Sequence, residues 1–150
     1  SRDDSKPVLQ GVLFKISESG FVSVATDGHR LVKYEKTDVS SKDYKGSVVI
    51  PIKFLSLLNN HLDKDKTTSI IIGDNHIQIQ LGMGNITSRI IKDSYPDYNG
   101  VIPKDNTKTL IVDKDAFSEA IKRVSIFSNK SSRQVSLNIT ENNIFLKFLC

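Results

Sequence analysis

A unit made of one strand, one helix and two further strands occurs twice in this sequence, and this repeat restricts the folds open to the chain. Val48–Ile50 precedes an apolar segment of helical period, and Leu110–Val112 precedes another about sixty residues later. In each copy two alternating segments follow, SIIIGDNHIQIQL in the first and VSLNITENNIFLKFL in the second. A solenoid would show more copies at a shorter period. The repeat therefore predicts an α+β fold assembled from strand–helix–strand–strand units.

Both predicted helices carry an apolar stripe. Pro51 suits the first position of the first helix, because a missing N–H costs nothing there. The stripe of that helix runs over Phe54, Leu55, Leu57, Leu58 and Leu62. In the second copy Asp113 is a plausible N-cap. Its stripe consists of Phe117, Ala120, Ile121 and Val124.

Three short alternating segments precede the first copy and predict an antiparallel meander. They are VLFKIS, FVSVAT and HRLVKYEK, separated by a Ser-Gly pair and by Asp27-Gly28. An Asp-Gly pair between alternating segments is a strong hairpin signal. Polar residues 36–47 are predicted to form a loop, and residues 93–107, which hold two prolines and show no clear period, a linker.

The TDGHRL motif at residues 26–31 is the most distinctive local feature. Asp27 and His29 could form a carboxylate–base pair, but they are two residues apart across a turn, so their side chains need not face each other. His61 and His76 lie on other predicted elements and form no metal-ligand spacing with His29. A catalytic or metal-binding role and a plain turn with solvated side chains both stay open, and the spacing favours the turn.

A second motif, SYPDYNGVIP, covers residues 94–103. Tyr95 and Tyr98 bracket Pro96-Asp97 in it. One interpretation is a turn that packs two rings over a domain junction. The other is the rim of a groove that takes a partner peptide.

Composition allows an ordinary core, with 38% hydrophobic and 25% charged residues. No stretch approaches the ~20 apolar residues that span a bilayer. Cys150 is the only cysteine, so we expect neither an intrachain disulfide nor a multi-thiolate site, but a reduced thiol and a cytoplasmic location. The formal net charge of +4 permits contact with phosphates without requiring it. Because the chain has no initiating Met, we expect it to start inside a longer protein.

Two motifs taken together resemble the signature of the bacterial DNA polymerase III beta subunit family, the beta sliding clamps. They are VATDGHRL and, some sixty-five residues later, YPDYNGVIP, which fits the family pattern YPDYxxVIP. VVIPIK, which leads into the first predicted helix, fits as well. The resemblance runs along essentially the whole chain.

The resemblance implies the DNA clamp fold, an α+β architecture with two strand–helix–strands units in each domain. Antiparallel sheets form the outside of a ring, and helices line its hole. Residues 1–103 would be the middle domain without its first strand and helix, and residues 104–150 the first half of the C-terminal domain. Because a half domain leaves sheet edges unpaired, we expect association or disorder near residues 108–150.

The resemblance also implies a hydrophobic cleft, between the middle and third domains, that accepts short linear peptides. Aliphatic anchors of such a peptide bury against apolar walls while a few polar groups fix its register. Gly100 departs from many relatives, which have a long basic side chain there, so we expect an altered rim and partner preference. The positions that match the family cleft are Leu9, Thr26, Gly28, His29, Arg30, Leu31, Pro96 and Val101.

Two further contacts are implied by position. Ile126 and Phe127 match apolar residues that meet the first domain of the other subunit, although residues of this kind are often simply core. Sliding needs diffuse contact with phosphates and no base readout. The basic residues that could face DNA, or alternatively lie on solvated faces, are Arg2, Lys6, Lys53, Lys114, Lys122 and Arg123.

The expected function is that of a sliding clamp, a homodimer ring around duplex DNA of any sequence. It would tether the DNA polymerase III catalytic subunit, the clamp loader and other proteins with clamp-binding motifs. We expect an accessory subunit without catalysis, cofactor or metal of its own. Two alternatives remain from the residues. An enzyme using His29 and Asp27 lacks a convincing nucleophile, and a stand-alone nucleic-acid-binding module lacks aromatics for base stacking, with no Trp and 4 Tyr.

Overall fold

The computed structural model describes residues 7–39, 41, 43–63, 67–82, 84–129 and 134–148. The chain divides into two compact units, Ser1–Val101 and Ile102–Cys150. Among the described residues, no helix is both long and apolar enough to cross a membrane. Arg2, Lys6 and Cys150 lie outside the described residues.

The first unit opens with a short 3-10 helix, Pro7–Gln10, and a four-stranded antiparallel sheet. The first three strands pair with one another in sequence order, which confirms the predicted meander. The fourth strand pairs with the other edge of the first strand. The strands are β1 (Gly11–Ser17), β2 (Gly20–Thr26), β3 (Leu31–Lys36) and β4 (Gly46–Pro51).

A second antiparallel sheet in this unit contains three strands in sequence order. The predicted alternation is confirmed: Ile77 and Ile79 are buried, whereas Gln80 is exposed. One face of the sheet is therefore apolar and packed, and the other meets water. The strands are β5 (Ser69–Ile72), β6 (His76–Leu81) and β7 (Gly84–Arg89).

Helix α1 (Ile52–Asn59) connects these two sheets through one apolar core. Phe54 and Leu58 of the helix are one turn apart, so they point to the same side. They pack with side chains from β4 and from β6, and the cluster consists of Val48, Ile50, Phe54, Leu58, Ile77 and Ile79. Burial of this cluster contributes to the stability of the unit.

Two details of the predicted first helix are wrong. Pro51 is not its first residue but the last of β4, where its backbone is extended (φ −58°, ψ 134°) and pairs with Gly11. The helix also ends before Leu62, because the N–H groups of Asn60 and His61 bond to carbonyls only three residues back. Leu62 is consequently 42% exposed.

The second unit contains helix α2 (Lys114–Ser125) and a two-stranded antiparallel sheet of β8 (Val135–Ile139) and β9 (Ile144–Phe148). The predicted N-cap is confirmed, since Asp113 Oδ1 accepts a hydrogen bond from Ala116 N at 2.8 Å. The predicted stripe is half-buried rather than buried, and it consists of Phe117, Ala120, Ile121 and Val124.

The strand predicted at Leu110–Val112 is wrong. These residues join neither a ladder nor a core, and Ile111 is 91% exposed. A strand needs a hydrogen-bonded neighbour, and the only sheet in the described part of this unit is the β8–β9 pair. Among its described residues none is buried. Association of this region therefore stays a prediction.

The core predicts different outcomes for two adjacent leucines of α1. Leu58→Ala should lower the free energy of unfolding by about 2–4 kcal/mol, because Leu58 is only 2% exposed and the cavity lies inside the cluster. Leu57→Ala is the matched control: at 47% exposure it should cost less than about 1 kcal/mol. Urea denaturation of both variants measures the difference, and equal losses of stability would contradict the assigned core.

Candidate functional site

The turn between β2 and β3 is held by one carboxylate. Asp27 Oδ1 accepts hydrogen bonds from the backbone N–H groups of His29 (3.0 Å) and Arg30 (2.8 Å). Asp27 Oδ2 accepts from Arg30 Nε (3.0 Å) and Nη2 (2.7 Å). Charge-assisted bonds of this kind are stronger than neutral ones and fix direction as well as distance. The Arg30 guanidinium is therefore positioned by a group three residues before it.

Thr26 and Gly28 complete the turn. The Thr26 hydroxyl oxygen accepts from Gly28 N (3.1 Å), and the same hydroxyl donates to the Arg30 carbonyl (2.8 Å). Gly28 has φ +88°, in the left-handed region that glycine adopts without a steric penalty. The TDGHR sequence thus specifies its own turn by local bonds.

The same bonds change the acidity of Asp27. Hydrogen bonds from the Arg30 side chain, and then those from the backbone of Arg30 and His29, hold the pKa of this carboxyl far below its ordinary 3.8. The group is charged throughout the physiological range. It is also fully engaged with Arg30 and the backbone, so it forms no carboxylate–imidazole pair with His29.

The structure brings no metal ligands together here. In the described ranges, no three His, Cys, Asp or Glu side chains are placed to hold a metal ion. The ring of His61 contacts the Leu57 carbonyl at 2.8 Å, on a different element from His29.

A second wall comes from the segment after β7. Tyr95 Oη donates to the Val24 carbonyl of β2 at 3.2 Å, and burial raises the pKa of this phenol, which keeps it protonated as a donor. Asp97 Oδ1 accepts from Asn99 N at 3.0 Å and starts a short 3-10 helix, Asn99–Val101. Tyr98 is buried, at 8% exposure.

Between these walls lies a groove of about 440 Å³ in the first unit. All eight residues predicted for the cleft line it, although they come from three separated parts of the chain. Asp97 and Tyr98 also line the groove. They belong to the SYPDYNGVIP motif, for which a groove rim was one interpretation, but they were not among the residues predicted for the cleft. The lining consists of Leu9, Thr26, Gly28, His29, Arg30, Leu31, Pro96, Asp97, Tyr98 and Val101.

The groove combines apolar surface with a polar rim. Leu9 and Leu31 are half-buried, while Val101 is 69% exposed. A ligand with aliphatic side chains can cover this surface, and the groups of the turn can fix its orientation. Such a lining suits the binding of a ligand.

Among the described residues, none of those predicted to face DNA is part of the groove lining. Lys53 is exposed on α1, and Lys114, Lys122 and Arg123 are exposed on α2. Arg123 Nη1 lies 3.6 Å from Glu119 Oε2, so part of its charge is compensated.

Ile126 and Phe127 follow α2 and are 76% and 70% exposed, so neither is a core residue of the described structure. The Phe127 ring lies 6.1 Å from that of Phe148. Ile126, Phe127 and Phe148 therefore form an exposed apolar surface at the end of α2.

Two family models match the chain and together cover almost all of it. Residues 1–97 match the DNA polymerase III beta subunit, central domain, and residues 99–148 match the DNA polymerase III beta subunit, C-terminal domain. The chain belongs to the DNA polymerase III beta subunit family.

Individual beta subunits agree with this assignment. The chain is 32% identical over 146 residues to the beta sliding clamp of Proteus mirabilis, covering 96% of this chain and 40% of that protein. The sliding clamp structure from Bacillus subtilis superposes with a TM-score of 0.86 at 29% identity, covering 97% of this chain and 39% of that one. The Bartonella birtlesii clamp, solved bound to griselimycin, gives 0.80 at 33% identity, covering 97% of this chain and 41% of that one.

The chain therefore spans about 40% of the length of the beta subunits it matches. The α+β fold with antiparallel sheets and two helices is the one expected from the sequence, and it matches that of the solved clamps.

The Asp27 contacts predict an acid-resistant turn. Because the folded pKa lies below the unfolded value of about 3.8, ionisation of Asp27 stabilises the turn at all higher pH, and this contribution is lost as pH falls through the folded pKa. In an NMR pH titration the His29 and Arg30 amides should therefore keep their shifts well below pH 3.8. Arg30→Gln removes the side chain that contributes most to the low pKa of Asp27, so the midpoint of this titration should move to higher pH. An unchanged midpoint in this variant would contradict the assigned interaction.

Proposed function

We propose that this chain is part of a sliding clamp, which holds replication proteins on DNA by encircling the duplex. Two full subunits form the ring, and the complex slides because it is held by topology and not by tight contacts. The chain contributes no chemistry of its own, and catalysis belongs to the polymerase that it tethers. Family membership supports this proposal, as does a groove suited to binding.

Within that protein we propose that residues 1–103 belong to the middle domain and residues 104–150 to the third domain. The two family matches, which meet at residues 97–99, support this division. So does the separation of the chain into compact units after Val101.

The groove is proposed to take a short linear peptide from the polymerase, the clamp loader or another partner with a clamp-binding motif. The observation that carries this proposal is the convergence of residues near positions 9, 26–31 and 96–101 on one apolar depression. Tethering through such a site raises the local concentration of the polymerase at the primer end.

Peptide binding is tested by an NMR titration with a short peptide that carries a Gln and a Leu-Phe pair. Shift changes should cluster at the groove lining. Val101→Ser should weaken binding by about fivefold, because it removes exposed apolar surface that the peptide covers. Val32→Ser is the matched control, since Val32 is similarly exposed at 66% but lies outside the groove.

Scattered shifts, or equal losses of affinity for the two valine variants, would contradict the site. Griselimycin is a second probe, because the Bartonella birtlesii clamp is bound to it. We propose that this chain binds it as well.

Interaction with DNA is proposed for the exposed basic residues of the two helices. In a diffuse interaction each phosphate neutralised contributes about 0.9 to the slope of log K against log salt. We expect the binding constant for duplex DNA to fall less steeply with salt when Lys53, Lys114 and Lys122 are replaced by Gln. The magnitude of the slope should decrease by about 0.9 for each phosphate contact that is lost. Fluorescence anisotropy on two unrelated duplexes measures it, and a weakening confined to one sequence would argue against sequence-independent binding.

A further inference from the structure

The two walls of the groove differ in how their charges are compensated. On the β2–β3 turn, Arg30 is paired with Asp27, so the two formal charges cancel locally. On the other wall, Asp97 is the only acidic residue of the lining. Its carboxylate receives the Asn99 N–H, and within the described part of the chain it takes part in no ion pair.

Space is available beside this carboxylate. Gly100 has no side chain, and a Cβ placed on it would meet nothing closer than Asp97 Oδ2 at 3.8 Å. Val101 on the same wall offers an apolar surface that is 69% exposed. A long cationic side chain could therefore lay its methylene stem on Val101 and bring its charged head to Asp97, which is how Lys and Arg cover apolar surface while keeping their charge in water.

We propose that Asp97 is a specificity-determining residue of the groove, which selects partner peptides carrying a Lys or Arg beside their aliphatic anchors. This inference rests on the proposed peptide-binding function and adds the chemical class of the preferred partner. The apolar anchors supply most of the affinity, and Asp97 discriminates among partners that share them. A charge at the rim of a binding site that has no partner within the protein generally changes which ligands are preferred more than it changes how tightly they bind.

The test compares four peptides that share the same Gln and Leu-Phe anchors. One has neutral flanks, two have a Lys on one flank or the other, and the fourth has a Glu on the flank at which Lys binds better. Affinities are measured by calorimetry at one fixed pH. The wild-type chain should prefer the better Lys peptide to its Glu counterpart by about fivefold at about 50 mM salt, and less at about 300 mM.

Two variants separate Asp97 from the rest of the groove. Asp97→Asn keeps the side-chain oxygen that receives the Asn99 N–H but removes the charge, so the ratio of the Lys-peptide affinity to the Glu-peptide affinity should fall to about one. Gly100→Lys places a cation beside Asp97 within the chain and should abolish the preference in the same way.

Each outcome decides a different question. Equal affinity of the Lys and Glu peptides for the wild-type chain, with the neutral peptide still bound at the groove, overturns the role of Asp97 and leaves the peptide-binding function intact. A Lys preference that survives Asp97→Asn also overturns it, since another group must then be responsible. Failure of every peptide to bind overturns both proposals.

Discussion

The pairing between β1 and β4 holds the parts of the first unit together. This ladder joins a strand of the opening meander to the strand that leads into α1, with Leu13 opposite Val49. Ile50 of β4 is fully buried and packs into the core shared with α1 and β6. The Val49 carbonyl receives the N–H of Ile91 at 2.9 Å, which fixes the start of the segment that builds the second groove wall. One strand thus connects the meander, the core and the site.

The local sequence pattern was sufficient to predict an element when the partner of that element lies close to it in the chain. The meander and the β5–β6–β7 sheet follow from alternation because each strand pairs with its neighbour in sequence. The N-cap at Asp113 was equally predictable, because its hydrogen bond spans only three residues. Local pattern failed where the outcome depends on a distant group. Leu110–Val112 is as apolar as Val48–Ile50, but among the described residues only Val48–Ile50 pairs with another strand, β1. Pro51 has the chemistry of a first helical residue, but its pairing with Gly11 keeps it in the strand.

The groove was predictable as a set of positions but not as a shape. The eight residues implied by the family resemblance all line one depression. Asp97 and Tyr98 line it as well, and only the interpretation of the whole SYPDYNGVIP motif as a groove rim included them. No sequence pattern gives the direction of the Asp27 carboxylate, because either His29 or Arg30 could have engaged it. The folded turn assigns it to the Arg30 side chain and to two backbone N–H groups. That choice depends on the path of the backbone through the turn, which residue types alone do not specify.

The attachment of Tyr95 to the Val24 carbonyl has a consequence for the size of the groove. Val24 and Thr26 are two residues apart on β2. The wall that contains Tyr95 is bonded to Val24, and the wall formed by the β2–β3 turn begins at Thr26. A strand rises about 3.3 Å per residue and stretches very little. The length of β2 between Val24 and Thr26 therefore helps to set the distance between the two walls. This spacing depends on the Tyr95 hydroxyl, because its hydrogen bond to the Val24 carbonyl attaches the second wall to the strand.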